Sequence, residues 1–329
     1  MIIAGDIGGT KTNIALFEPH GQRLDRIIAQ RSYPSGKYSS LGEIVGEFVA
    51  ELSPRVTHAC FGVAGPVAHG RVEATNLPWV VSAESLASRL GLARVGLIND
   101  LEATAYGVEV LQPAQFYTLN PGAGAGPGHR ALIAAGTGLG MAGIFWDGER
   151  YHPISSEGGH MDFAPRNERE IELFLYVREK IGGRVSVERA LSGPGLVTIY
   201  TFLRDRGHGE EPAWLADELR GGDPAAAISR AGLARKSELA AEALDMFVEI
   251  YGAMAGNLAL LLRPSGGLYV GGGIAPKIIE KLKGGAFMRA YLDKGRMSGI
   301  VEETRVCVIL DDKAALYGAG RAALLHAGE

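Results

Sequence analysis

The chain has 329 residues, 47% of them hydrophobic and 21% charged, with a formal net charge of −4, which predicts a globular protein long enough for about two domains. Its 47 glycines are about double the usual share, yet only 15 prolines and no repeating period accompany them, which excludes collagen-like and disordered chains. Scattered basic residues leave no nucleic-acid footprint, no apolar run reaches the roughly 18 residues needed to cross a bilayer, and two cysteines cannot build a disulfide framework or a paired-cysteine metal site. No basic stretch precedes Met1-Ile2-Ile3, so no secretory signal is expected. The expected setting is the cytoplasm, without nucleic-acid or membrane partners.

Residues 2–4 and 12–17 flank a glycine turn and predict two strands joined by a tight connection. Apolar spacing predicts a helix over 44–52, a strand over 57–63 ending at Gly65-Pro66, and a helix over 82–90 capped by Ser82. Residues 95–98 read as a buried strand that stops at Asn99-Asp100, and 101–111 continue as a helix. Strands alternating with helices predict an α/β fold with a largely parallel sheet. The stretch 120–128, NPGAGAGPG, reads as a flexible connection between two lobes. Directly after it the opening pattern returns: a strand, the glycine turn Gly136-Thr137-Gly138, and a second strand, sharing the Gly-Thr pair of Gly9-Thr10. Two copies of one unit predict a duplicated, two-lobed protein with a cleft between the lobes. Residues 171–260 are helix-rich, with a long amphipathic helix over 237–262. A strand with glycines follows at 268–274, another strand at 306–310, and an apolar helix at 314–325.

Two motifs mislead. Gly5 to Thr12, GDIGGTKT, nearly spells a P-loop, but a P-loop opens into a helix and this turn runs into a strand. Gly138 to Gly143 fits GxGxxG, yet strand-like Ile144-Phe145-Trp146 follows where the dinucleotide fingerprint needs a helix. A hairpin carrying Asp-x-Gly-Gly-Thr can still cradle phosphate through the backbone of Gly8, Gly9 and Thr10 and the side chains of Thr10 and Lys11. Asp6 points to Mg²⁺, held through water, because Mg²⁺ keeps several waters and few carboxylates. The simpler reading is an ordinary hairpin with incidental charges. The second glycine turn at Gly136-Thr137-Gly138 and a third element at Gly271-Gly272-Gly273 weigh against it.

Asn99-Asp100 sits at the carboxyl end of a strand, where α/β sheets bind ligands; Asp100 could equally cap the helix behind it. Glu157-Gly158-Gly159-His160-Met161-Asp162 groups three titratable side chains around a glycine pair, with too few ligands for zinc. Such side chains suit adjacent hydroxyls, each donating or accepting in a set direction. Glu188, ahead of Leu191-Ser192-Gly193-Pro194-Gly195, is a further candidate, or a solvated helix charge; glycines 158–159 and 193–195 read as shaping the hydroxyl side. Phosphate elements with hydroxyl-binding carboxylates predict phosphoryl transfer to a polyol, with Asp100 as general base.

The blocks GDIGGTKTNIALF, INDLEATAYG, GTGLGMA, EGGHMDFAPR, ERALSGPGL and GGGIAPK, in this order along nearly the whole chain, resemble the bacterial ATP-dependent glucokinase family. The resemblance implies the ribonuclease-H-like fold of hexokinases and actin, with a small domain of 1–112 plus 313–329, a large domain of 113–312, and a homodimer. It implies ATP and Mg²⁺, glucose contacts from Asn76, Asn99, Asp100, Glu157, His160 and Glu188, and Asp100 as the base. Asp6, Gly8, Gly9, Thr10 and Lys11 would form the first phosphate element, Gly136, Thr137 and Gly138 the second, and Gly271, Gly272 and Gly273 the adenosine side. The related repressor/ORF/kinase group carries a zinc-binding CxCGxxGC segment that this chain lacks, although Lys11 in GGTKT is closer to that group. A sugar kinase of other hexose or donor specificity, and a sugar sensor without catalysis, are the alternative readings.

Overall fold

A computed structural model describes residues 1–325 except Gln22, Asn76 and Ala125. The chain divides into two compact units: 1–113 with 151–154 and the stretch from Asp311 on, and 114–150 with 155–310. The first unit holds β1 (Ile2–Ile7), β2 (Lys11–His20), β3 (Arg23–Pro34), α1 (Leu41–Leu52), β4 (His58–Val63), β5 (Arg71–Glu73), β6 (Val80–Ser82), α2 (Ala83–Leu90), β7 (Gly96–Asn99) and α3 (Asp100–Val110). Its main sheet runs β3-β2-β1-β4-β7. β1 and β2 form the expected antiparallel hairpin, and β4 and β7 add in parallel. β3 was not legible, because its exposed face is charged and only Tyr33 is buried.

The second unit begins with β8 (Phe116–Asn120), β9 (Arg130–Ala135) and β10 (Leu139–Trp146); β11 (Tyr151–Ile154), which packs on α3, falls in the first unit. It continues through α4 (Glu168–Ile181), α5 (Gly193–Asp205), α6 (Ala213–Gly221), α7 (Pro224–Leu233), α8 (Glu238–Leu262), β12 (Leu268–Gly271), α9 (Ile279–Lys283), α10 (Ala286–Leu292), α11 (Ser298–Glu302) and β13 (Val306–Ile309). Within this unit the sheet order is β10-β9-β12-β13-β8. β9 and β10 are antiparallel, and β12 and β13 add in parallel, so the second unit repeats the hairpin-plus-parallel topology of the first. Duplication, read from the two glycine turns, is present in the strand order itself.

One connection differs from expectation. The stretch 120–128 links β8 to β9 inside the second unit, and the chain passes between units at 113–114. Nor is it a loose tether: the Ala123 amide donates to the Glu303 carbonyl at 2.9 Å, and the Gly266 amide to the His129 carbonyl just beyond, at 2.8 Å. Gly122 and Gly128 are closely approached by backbone or side-chain atoms of 303–305 and 265–266, so at these two positions glycine serves close approach.

The second core gathers around α8, capped by Ser237, whose hydroxyl accepts from the Ala240 amide at 3.2 Å. α8 has the length and apolarity of a membrane span, but its sides are covered, with Phe247, Ile250 and Tyr251 essentially unexposed. In the first unit the last helix, α12 (Ala314–Leu325), packs on α3. A Cβ at Gly107 would overlap the backbone of Ala314, and one at Gly318 the carbonyl of Ala103, so the two helices run antiparallel in backbone contact. No small shift relieves such an overlap, since the colliding atoms are main chain. Gly318→Ala is therefore expected to destabilise the first unit by about 2 kcal/mol or more, seen as a lower urea midpoint with the second unit's transition unchanged.

Candidate active site

In the first unit, parallel pairing aligns Asp6 with Gly62 and Ile98, and Ile7 with Val63 and Asn99. Asp6 at the end of β1 and Asn99-Asp100 at the end of β7 thus lie at one edge of the sheet with β4 between them, where α/β folds place ligands. Gly62 makes this possible, because a Cβ there would collide with the Ala103 methyl, holding α3 and Asp100 away from the sheet. The helix cap is Asn99 rather than Asp100: its Oδ1 accepts from the Leu101 amide at 2.9 Å, and its Nδ2 donates to the Gly65 carbonyl at 3.0 Å. Asp100 occupies the first helical turn, its Oδ1 also 2.9 Å from the Leu101 amide. A carboxylate there is favoured by the helix dipole.

Asp6 is pushed up to about 6, first by burial and then by the neighbouring charge of Asp100; Asp312 adds to the rise, while a hydrogen bond from Asn13 and the charge of Lys11 oppose it. The hairpin beside it is held from behind. Ser35, unexposed, donates through its hydroxyl to the Gly8 carbonyl at 2.8 Å, shares a 2.9 Å hydrogen bond with Thr12, and gives its amide to the Thr10 carbonyl at 3.0 Å. The Gly8 amide is spent on the Lys11 carbonyl at 3.0 Å. Of the hairpin residues expected to meet phosphate, Gly8 therefore has its amide committed within the turn itself. Asn76 lies outside the described residues.

In the second unit three separate motifs meet. Glu188 lies in a short 3₁₀ turn, and its Oε2 accepts from the Leu139 amide at 2.8 Å, directly after the turn Gly136-Thr137-Gly138. It is not a solvated helix charge. The Gly193 amide donates to the Gly136 carbonyl at 2.8 Å. Gly193 therefore belongs to the glycine turn, not to the hydroxyl side alone, because the start of α5 abuts that turn. Glu157 and His160 stand in solvent, their side chains 4.0 Å apart and 82% and 55% exposed. The Val187 amide donates to the Met161 carbonyl at 2.9 Å, and Arg184 donates to the His160 carbonyl at 2.7 Å and to Asp162 at 2.8 Å. Gly271 ends β12, level with Ala134 of β9, and Gly272 has φ +81° with the Ala135 backbone where a Cβ would sit. Only glycine fits there.

A family model described as Glucokinase matches residues 3–326. Relatives named glucokinase from Nostoc punctiforme and Synechocystis are 41% and 40% identical, covering 97% and 96% of both chains. The chain belongs to the glucokinase family. A crystal structure of a glucokinase from an Antarctic psychrotroph is 28% identical and superposes with a TM-score of 0.84 over 98% of each chain. A glucokinase from Balamuthia mandrillaris, solved in complex with glucose, is 22% identical with a TM-score of 0.80, covering 100% of this chain and 93% of the other, and shares the fold. The architecture is thus the duplicated α/β fold of the hexokinase and actin type.

Sequence reasoning missed Ser35, Gly62 and Asp312, the first two because a serine in a loop and a glycine in a strand carry no local signal of what they touch. The expected role of Asp6 has a measurable consequence. Its carboxyl binds a proton near pH 6 when folded and near 3.9 when unfolded, so folding loses stability as pH rises from about 4 to 6. Asp6→Asn is expected to gain up to about 3 kcal/mol of stability at pH 8 and little at pH 4, read by denaturant unfolding at both pH values. An equal gain at both would show that burial and carboxylate repulsion do not govern Asp6.

Proposed function

We propose that the protein is an ATP-dependent glucokinase, moving the γ-phosphoryl group of ATP to the 6-hydroxyl of glucose to give glucose 6-phosphate and ADP. The observation that carries this is Asp100, a carboxylate set at the strand ends beside a phosphate-type hairpin in a chain of the glucokinase family. Glucose would be held by Asn99, Asp100, Glu157, His160 and Glu188, with Asn76 as a further contact. Asn99 already uses Oδ1 and one Nδ2 hydrogen internally, which fixes its amide and leaves one N–H for a hydroxyl. Glu188 keeps Oε1 for the sugar while Oε2 holds the glycine turn.

Asp100 takes the proton of the 6-hydroxyl as the oxygen–phosphorus bond forms and the bond to the β-phosphate oxygen breaks, with the electron pair leaving on ADP. Alcohols ionise poorly near neutral pH, so a placed base contributes about 10²–10⁴-fold. Gly9, Thr10 and Lys11, with Thr137 and Gly138, would hold the phosphates, and Gly271 to Gly273 the adenosine side. Among the described residues no group of three metal-ligating side chains exists, which suits a cation held mainly by water and phosphate. The crowding of Asp100 and Asp312 on Asp6 is a negative surplus that a divalent cation relieves. Bound Mg²⁺ would neutralise phosphate charge, with Asp6 holding it through water.

Two further readings follow, the first from the family resemblance and the second from composition. The enzyme acts as a homodimer, which sedimentation equilibrium checks directly. It works in the cytoplasm, which accords with two buried, unpaired thiols.

The direct test incubates the protein with ATP, Mg²⁺ and glucose and follows ADP and glucose 6-phosphate, with mannose and glucosamine as other acceptors and polyphosphate and ADP as other donors. Glucose and ATP are expected to give the highest kcat/KM; binding of glucose without any product would favour a sensor instead. Asp100→Asn is expected to fold and bind glucose within a few-fold of normal, while kcat falls by about 10²–10⁴. Turnover near normal would remove Asp100 from the chemistry.

A further inference from the structure

Tyr251, on α8, is wholly buried and is assigned no role in the site. Its hydroxyl accepts from the Ala135 amide at 3.2 Å and lies 3.1 Å from the Gly271 carbonyl oxygen and 3.4 Å from that of Ile133. A phenol has one proton to give, and the Gly271 oxygen is its nearer acceptor. Burial pushes the phenol far above its ordinary range, so that proton is retained at all working pH values. Ala135 is the last residue of β9, directly before Gly136, and Gly271 is the last of β12, directly before Gly272. One buried hydroxyl therefore ties together the strand ends from which two glycine elements depart.

The same turn is held on its other flank, where Glu188 takes the Leu139 amide. Side chains thus engage the amides at both ends of Gly136-Thr137-Gly138. Packing alone does not call for the hydroxyl. The ring makes edge contacts with Phe247 and Phe287 at centroid separations of 6.1 and 5.7 Å, and a phenylalanine would make them equally well.

We propose that Tyr251 is a positioning residue for the nucleotide, its hydroxyl fixing the spacing between the Gly136–Gly138 turn and the Gly271–Gly273 element. The proposal rests on the reading of both elements as nucleotide contacts. Tyr251→Phe keeps the ring but removes the hydroxyl shared by the Ala135 amide and the Gly271 carbonyl, a loss that buried polar groups do not tolerate cheaply. The expected result is a rise of about five- to tenfold in both the KM for ATP and the Kd for ADP, with the KM for glucose within about twofold. A residue serving packing alone would lower the melting temperature and leave that KM ratio unchanged.

The experiment measures both KM values and titrates ADP calorimetrically for the wild type, Tyr251→Phe and Thr137→Ala, the last altering the turn itself. If Thr137→Ala weakens ADP and Tyr251→Phe does not, the role of Tyr251 is overturned and the nucleotide reading of the turn stands. If neither weakens ADP, both are overturned. Amide exchange on the unmodified enzyme gives a readout that needs no variant. Saturating ADP is expected to slow exchange at 134–138 and 271–273 together, and slowing of one segment alone overturns the linkage.

Discussion

The first unit is organised around an unfavourable interaction: Asp6 is half-buried at the end of β1 with the charges of Asp100 and Asp312 close by. Left to itself, such a group would turn outward or recruit a counter-ion. It stays because the backbone around it is over-determined. β1 is central in its sheet, with β2 on one side and β4 on the other, and the cap at Asn99 fixes where α3 begins. Gly62 lets that helix start close to the strands, and the glycines of α3 and α12 lock the helix pair behind it. The fold thus supports a concentration of acidic groups at one edge of the sheet, the kind of local cost that binding sites carry and the surrounding packing offsets.

The second unit meets a related demand without charge on the strand. Where the first hairpin carries Asp6 one residue before the strand end, the second ends in Ala134-Ala135. Its glycine turn is controlled by groups brought from far along the chain: Glu188 on the Leu139 amide, Gly193 on the Gly136 carbonyl, and Tyr251 on the Ala135 amide. The two copies of one topology therefore use different physics. One places ionisable side chains on strands, and the other fixes backbone donors with side chains from a 3₁₀ turn and a core helix.

That difference decides what could be read in advance. The duplication, the strand-and-helix alternation and the cap at Ser82 were legible because each has a local signature: a glycine turn, periodicity, or a serine before an apolar run. Asp6, Asp100 and the EGGHMD block stood out because charged or polar groups beside apolar strands are conspicuous. The partnership of Glu188 with Leu139, 49 residues apart, has no such signature, and neither does that of Tyr251 with Ala135, 116 apart. Composition misled once. NPGAGAGPG reads as a tether, whereas Gly122 lies against the backbone of 303–305 and Gly128 against 265–266, where any side chain would collide. Glycine reports that a backbone is either free or closely approached, and sequence alone does not say which.

The same reasoning explains why the glycine excess falls where it does. At Gly62, Gly107 and Gly318 a missing Cβ lets helix meet strand or helix at main-chain distance; at Gly272 it permits a conformation that other residues avoid. Gly62, Gly107 and Gly318 are assigned no substrate contact, yet they set how closely backbone elements approach one another. Gly62 sets Asp100 near Asp6, and Gly272 sets the β12 end against Ala135. A site whose groups must meet a sugar hydroxyl and a phosphate within a fraction of an ångström is better built on backbone contacts than on side-chain packing, because main-chain atoms have no rotamers to relax into. The glycines are in this sense the mechanical part of the site, and the carboxylates the chemical part.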